Sequence, residues 1–171
     1  VKWRTKENDF CSEVISTIFV EIQKISLFTF PPMNTHSTAI TNGIKVEVFP
    51  TFIPKEQTPE PEKFFFSYDI TITNVGHAWA KLLSRHWIII DADGHREEVQ
   101  GEGVVGYQPE LEPGLAFSYT SYCPIATQWG TMEGTYTFTR RDGTLFEAEI
   151  ARFYLVEPSL LPRSNAEQEA A

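Results

Sequence analysis

Cysteine is scarce: the 171 residues hold two, Cys11 and Cys123. They form no CxxC pair and no zinc spacing, and a small disulfide-stapled secreted scaffold would carry more, so a reducing, cytoplasmic setting is expected. Basic residues are also few, 14 against 23 acidic. The formal net charge of -9 repels a phosphate backbone at long range, which argues against nucleic acid and anionic membranes as partners but leaves room for one local anion site. No apolar run reaches bilayer length, because Glu21, Gln23 and Lys24 interrupt the longest candidate. There Val14, Ile15, Ile18, Phe19, Ile22 and Ile25 recur at helical spacing, which reads as a short amphipathic helix over 12–27. A signal peptide is a poor match, since Glu7, Asp9 and Glu13 dilute the positive charge of Lys2, Arg4 and Lys6 and no small-residue cleavage site follows. The first methionine, Met33, follows Pro31-Pro32 and is read as the start of the folded domain. The expected organisation is an extension over 1–37, one domain over 38–160, and a flexible polar tail over 161–171.

What the chain has in quantity is aromatic and β-branched residues in short runs between prolines and glycines, with 13% Phe, Trp and Tyr. That pattern predicts an all-β fold. Seven extended runs are expected, at about 44–53, 64–73, 80–91, 96–107, 115–125, 131–139 and 145–156. In the clearest of them Phe64, Phe66, Tyr68, Ile70 and Ile72 share one face while Ser67, Asp69, Thr71 and Thr73 share the other, the mark of a half-buried antiparallel strand. Asp93-Gly94 and Asp142-Gly143 read as hairpin turns, and Glu112-Pro113-Gly114 as another turn. The stretch from Glu56 to Glu62 has two prolines and no core-forming residue, so it is read as an exposed loop. No helical pattern is long enough for a βαβ crossover, which excludes a parallel α/β sheet and leaves two packed antiparallel sheets.

The chemistry-bearing residues form no complete catalytic set. Gly101, Gly103 and Gly106 make a GxGxxG, but no helix follows and no βαβ unit contains it, so the dinucleotide-fold context is missing. Two readings stand: glycines that permit a tight path at a sheet edge, or a small nest of amides for an anion, with Arg85 as counter-charge and Gln100 beside it. Asp91, Asp93, Glu97 and Glu98 are candidate hard-oxygen ligands for Mg²⁺ or Co²⁺, set against the plainer reading of a solvated acidic hairpin. His36, His77, His86 and His95 form no HxH or HExxH. Ser84, Ser118 and Ser121 lack the nucleophile elbow, and Cys123 has no histidine partner in view. His86 alternates with Trp87 and is read as structural, and Trp87 itself matches the core tryptophan of immunoglobulin-type sandwiches. The chain is therefore read as a non-enzyme.

Several segments in a fixed order resemble the ApaG family: Leu82-Leu83-Ser84-Arg85-His86-Trp87, the stretch Glu98 to Gly106, and Pro109-x-Leu111-x-Pro113-Gly114. Tyr119-Thr120-Ser121, Gly130-Thr131-Met132-Glu133-Gly134-Thr135-Tyr136 and Ile150-Ala151-Arg152-Phe153 continue the match, which spans about 41–158. Ala151 stands where the family often has proline, and His86 where bacterial members usually have tyrosine. The resemblance implies an immunoglobulin-like or fibronectin-III-like antiparallel β-sandwich of about seven strands. It also implies a partner-binding module, because the domain recurs in eukaryotic F-box and DNA-polymerase-interacting proteins. Bacterial members are encoded beside a diadenosine tetraphosphate hydrolase and are associated with cobalt and magnesium tolerance, and the glycine stretch is the family's proposed pyrophosphate-binding motif. The resemblance brings no catalytic residue. The leading expectation is a non-enzymatic module for an unidentified protein partner. A sensor of pyrophosphate or a dinucleoside polyphosphate, with or without Mg²⁺, is the alternative, and direct metal handling ranks third. A homodimer through edge strands is a further expectation.

Overall fold

The computed structural model describes residues 34–60 and 62–161; the helix read over 12–27, Met33 and most of the expected tail lie outside the described residues. Each of the seven sequence runs is a strand, and two short ones join them, so the described residues hold nine strands rather than seven. In chain order they are β1 (Ser37–Thr41), β2 (Ile44–Ile53), β3 (Phe64–Asn74), β4 (Ala80–Asp91), β5 (Arg96–Glu102), β6 (Glu110–Leu111), β7 (Ala116–Ile125), β8 (Trp129–Thr139) and β9 (Leu145–Val156). The run read as 96–107 ends at Glu102, where the backbone turns off into the glycine segment. The loop expected over 56–62 overlaps a single exposed 3₁₀ turn at Lys55–Gln57.

Two antiparallel sheets form a sandwich, one ordered β1-β2-β3-β7 and the other β5-β4-β8-β9, with β6 pairing beside β5 on the same edge of β4. Alternation decides the core. On β3, Phe66, Tyr68, Ile70 and Ile72 are buried. They face Trp87, Met132, Tyr136, Phe138, Ile150 and Phe153 of the other sheet, none more than 2% exposed. Trp87 is the hub: its ring centroid lies 5.6 Å from Tyr68, 6.1 Å from Tyr136 and 6.0 Å from Phe153, all edge-on. Such edge-to-face contacts add to the apolar burial that dominates the stability of the fold.

Among the described residues the sandwich is closed on one side and open on the other. Along the closed seam Ser37 Oγ donates to the Ala151 carbonyl at 2.7 Å, and Asn42 Nδ2 donates to the Glu147 carbonyl at 3.0 Å. The Glu149 amide donates to Thr41 Oγ1 at 3.2 Å and the Tyr154 amide to the Thr35 carbonyl at 3.0 Å, so β1 zips onto β9. No hydrogen bond among the described residues joins β5 to β7 on the opposite side.

Candidate functional site

The open seam begins with a bulge in β4. Ala80 and Leu82 face inward, yet further along it is Trp87 and Ile89 that do, because the register with β8 slips between Leu82 and Ser84. The slip turns Arg85 inward, on the same face as its cross-strand partner Gly101. There Arg85 Nη1 donates to the Glu102 carbonyl at 3.0 Å and the Gly103 carbonyl at 2.8 Å. The guanidinium lies against Gly101, where an added Cβ would stand 3.1 Å from Nη1.

The glycine segment is a small hairpin set into the edge of the sheet between β5 and β6. It leaves where the Gly103 amide donates to the Leu83 carbonyl at 2.8 Å, and it returns where the Leu82 amide donates to the Pro109 carbonyl at 3.0 Å. Within it, Val104 and Tyr107 exchange two backbone bonds of 2.8 Å across a turn whose central residues, Val105 and Gly106, have φ of 43° and 84°. Positive φ at both central positions is the two-residue hairpin geometry that matches strand twist. Gly103, at φ 57°, has no room for a side chain: an added Cβ would fall 2.2 Å from the Tyr107 carbonyl oxygen. Val104 is wholly buried, and Tyr107 lies 63% exposed with its ring 6.1 Å from Phe117.

Of the residues proposed from sequence for an anion, Arg85, Gly101 and Gly103 come together, Gly106 sits at the hairpin tip, and Gln100 lies on the opposite face of the sheet. There Gln100 joins Ser84, His86, Thr135, Thr137 and Glu147 around a shallow hollow of about 460 Å³ that Arg85, Gly101 and Glu102 also border. The amides of Gly103, Val104 and Tyr107 are committed to partners inside the fold, as is Nη1 of Arg85. The four acidic candidates are not gathered. Asp91 Oδ1 accepts from the amides of Asp93 and His95 at 3.0 and 2.9 Å and so braces its own hairpin. Glu97 and Glu98, as neighbours on one strand, point to opposite faces. Among the described residues no group of three or more His, Cys, Asp or Glu side chains is placed to hold a metal ion. Glu98 instead meets His86 Nε2 at 2.7 Å and also pairs with Arg96, and these two bonds hold its carboxyl below the ordinary range.

Between β5 and β7 the sheets part into a cleft of about 290 Å³, lined by Tyr68, Arg85, Trp87, Ile89, Glu97, Val99, Ser121, Tyr122, Cys123, Pro124 and Met132. Its floor is apolar and its rim carries one cation and one carboxylate. Deeper in, Tyr119 of β7 and Tyr136 of β8 join the sheets through hydroxyls 2.6 Å apart. Burial raises both phenols well above their ordinary value, so each is protonated near neutrality. Burial likewise pushes the Cys123 thiol up to about 12. Sequence reasoning missed this cleft because the β4 bulge, which turns Arg85 inward, leaves no mark in the residue pattern.

No helix among the described residues is long and apolar enough to cross a membrane. The family model of the ApaG domain matches residues 54–140. Protein ApaG of Anaeromyxobacter dehalogenans is 55% identical over 73% of this chain and 98% of its own length. Among solved structures, a structural-genomics X-ray structure is 45% identical with a TM-score of 0.67, covering 74% of this chain and 95% of the other. The crystal structure of a Bordetella pertussis protein named ApaA is 42% identical with a TM-score of 0.63, covering 74% of this chain and 98% of its own. The match reaches from the loop after β2 to the end of β8 and takes in the bulge, the glycine hairpin and the turn at Gly114, and on that agreement the chain belongs to the ApaG family.

Proposed function

We infer that the chain is a non-catalytic binding module that takes an extended segment of a protein partner along β7, with one apolar side chain seated in the cleft. The observation that carries this reading is the open seam: among the described residues β7 has a free edge directly beside a cavity floored by Trp87, Ile89 and Met132. Strand addition to a free edge supplies main-chain bonds, and a pocket for alternate side chains supplies selectivity. The Leu115 carbonyl accepts from Asn74 on β3, so by alternation the amides of Ser118, Thr120 and Tyr122 point outward. Pro124 falls in the same outward series and offers no N–H, which ends the free ladder there.

The phenols and thiol around the cleft are neutral near pH 7 and so are poor nucleophiles, in keeping with binding rather than chemistry. The anion-sensor alternative has less support, because three amides of the glycine hairpin and one guanidinium nitrogen already have partners. The family's link to cobalt and magnesium tolerance is carried by partner binding in this reading.

The test is capture of partners from a lysate by the parent protein and by Ser121→Phe, which fills the cleft, followed by binding measurements on each partner identified. Loss of a partner with Ser121→Phe at unchanged melting temperature supports the reading. Equal capture by both overturns it, as do saturable amide shifts confined to Gly101–Tyr107 on titration with pyrophosphate.

A further inference from the structure

Among the described residues β5 is the other free edge of the open seam, and its sequence is Arg96-Glu97-Glu98-Val99-Gln100-Gly101-Glu102. Its backbone polarity is fixed at both ends. The Gly103 amide donates to the Leu83 carbonyl, and the Asp91 amide donates to the His95 carbonyl. Odd-numbered residues therefore bond to β4, and Arg96, Glu98, Gln100 and Glu102 turn their N–H and C=O groups outward, the Glu102 carbonyl already accepting from Arg85 Nη1. Charge is unbalanced on the same strand: Glu97 and Glu102 have no ion pair among the described residues, although both are exposed. Exposed charges normally protect an edge from pairing. Here their order forbids every long register but one.

We propose that β5 pairs antiparallel with β5 of a second copy of this chain, about a two-fold axis at Val99. A continuous sheet with both sandwiches on the same side requires inward residues to meet inward residues, so the register moves only in steps that keep parity. An axis at Glu98 sets Glu98 against itself, and an axis at Gln100 sets Glu98 against Glu102. Like charges directly opposite one another are destabilising. An axis at Val99 sets no like charges opposite. It uses the whole strand and places Arg96 opposite Glu102, Glu98 opposite Gln100, and Val99 opposite its own copy. Glu97 then lies opposite Gly101 of the second copy, the residue over which that copy's Arg85 guanidinium is laid. In this register both unpaired carboxylates gain a cation, and the outward groups of Glu98 and Gln100 gain partners. The interface is isologous, as a two-fold axis demands.

Sedimentation equilibrium of the full chain tests this with Arg96→Glu, Glu102→Arg and the double charge swap. A dimer in the parent is expected. Each single variant sets like charges opposite at two symmetric positions and weakens the dimer roughly tenfold, and the double swap restores it. Gln100→Pro removes an outward N–H and no bond to β4, and is expected to dissociate the dimer with the monomer still folded by circular dichroism. A parent that stays monomeric up to about 1 mM overturns the proposal. So does a dimer indifferent to the single charge changes, or one that the double swap leaves weakened.

Discussion

Arg85 occupies the space that a side chain on Gly101 would fill: the two are cross-strand partners, and an added Cβ would lie 3.1 to 3.3 Å from three atoms of the guanidinium. The glycine is needed there by its neighbour and not by its own backbone angles. Gly101→Ala is therefore expected to push Arg85 off the Glu102 and Gly103 carbonyls and to cost about 1–2 kcal/mol. Urea unfolding measures it, and a stability equal to the parent's would show that the arginine moves aside freely.

Val105 is a β-branched residue held at φ 43° in a two-residue turn where asparagine is favoured. Val105 is half-exposed, so replacing it removes strain without opening a cavity. Val105→Asn is expected to raise stability by about 1 kcal/mol. A melting temperature that fails to rise would place the strain elsewhere.

Arg140 binds the far end of the sandwich. Nη1 donates to the carbonyls of Ala78 and Trp79, Nη2 donates to that of Asn42 at 2.7 Å, and the guanidinium lies 4.0 Å from the Phe146 ring centroid. Lysine keeps the charge but not the planar fork. Arg140→Lys is expected to cost about 2 kcal/mol by chemical denaturation, a large part of the loss for Arg140→Ala.

The carboxyl of Glu133 is held below its ordinary range by hydrogen bonds from Arg152, at 2.6 and 3.0 Å. A carboxylate depressed on folding contributes stability that is present above its unfolded value and is lost as pH falls through the folded value. The parent is thus expected to lose its advantage over Glu133→Gln as pH falls below about 4. Arg152 is half-exposed, so the advantage at neutral pH stays below about 1 kcal/mol. A difference that does not shrink in acid would remove the pair as its source.

The Cys123 thiol is buried and pushed up to about 12. Native protein at pH 8 is expected to leave Cys123 unmodified by iodoacetamide for as long as it stays folded, read by peptide mass spectrometry. Labelling at the rate of a free thiol would mean that the cleft opens in solution.

Much of this fold is legible before any coordinates. Seven strands and the turns at Gly94, Gly114 and Gly143, each at φ near 84°, follow from alternation and from Asp-Gly and Pro-Gly chemistry. β1 lies outside the seven runs although its signal is present, since Asn42-Gly43 with φ of 53° and 82° is a strong hairpin dipeptide. The candidate anion site falls on the glycines because glycine spacing is visible in a sequence, whereas the surface expected for a protein partner has no residue signature there. The cleft was not legible, because it depends on a bulge at Leu83 that turns Arg85 inward and on which two edges the topology leaves facing each other. Those are properties of long-range pairing, which local residue patterns do not encode.

The closed seam also sets an order of events. β1 and β9 are the first and last of the described strands, and the bond from Ser37 to Ala151 spans 114 positions. During synthesis the chain has to hold β1 unsealed until β9 has been made, so the apolar face of the β1–β2 hairpin waits for its cover while most of the domain is still being translated. Loss of either strand leaves a sandwich open on both sides.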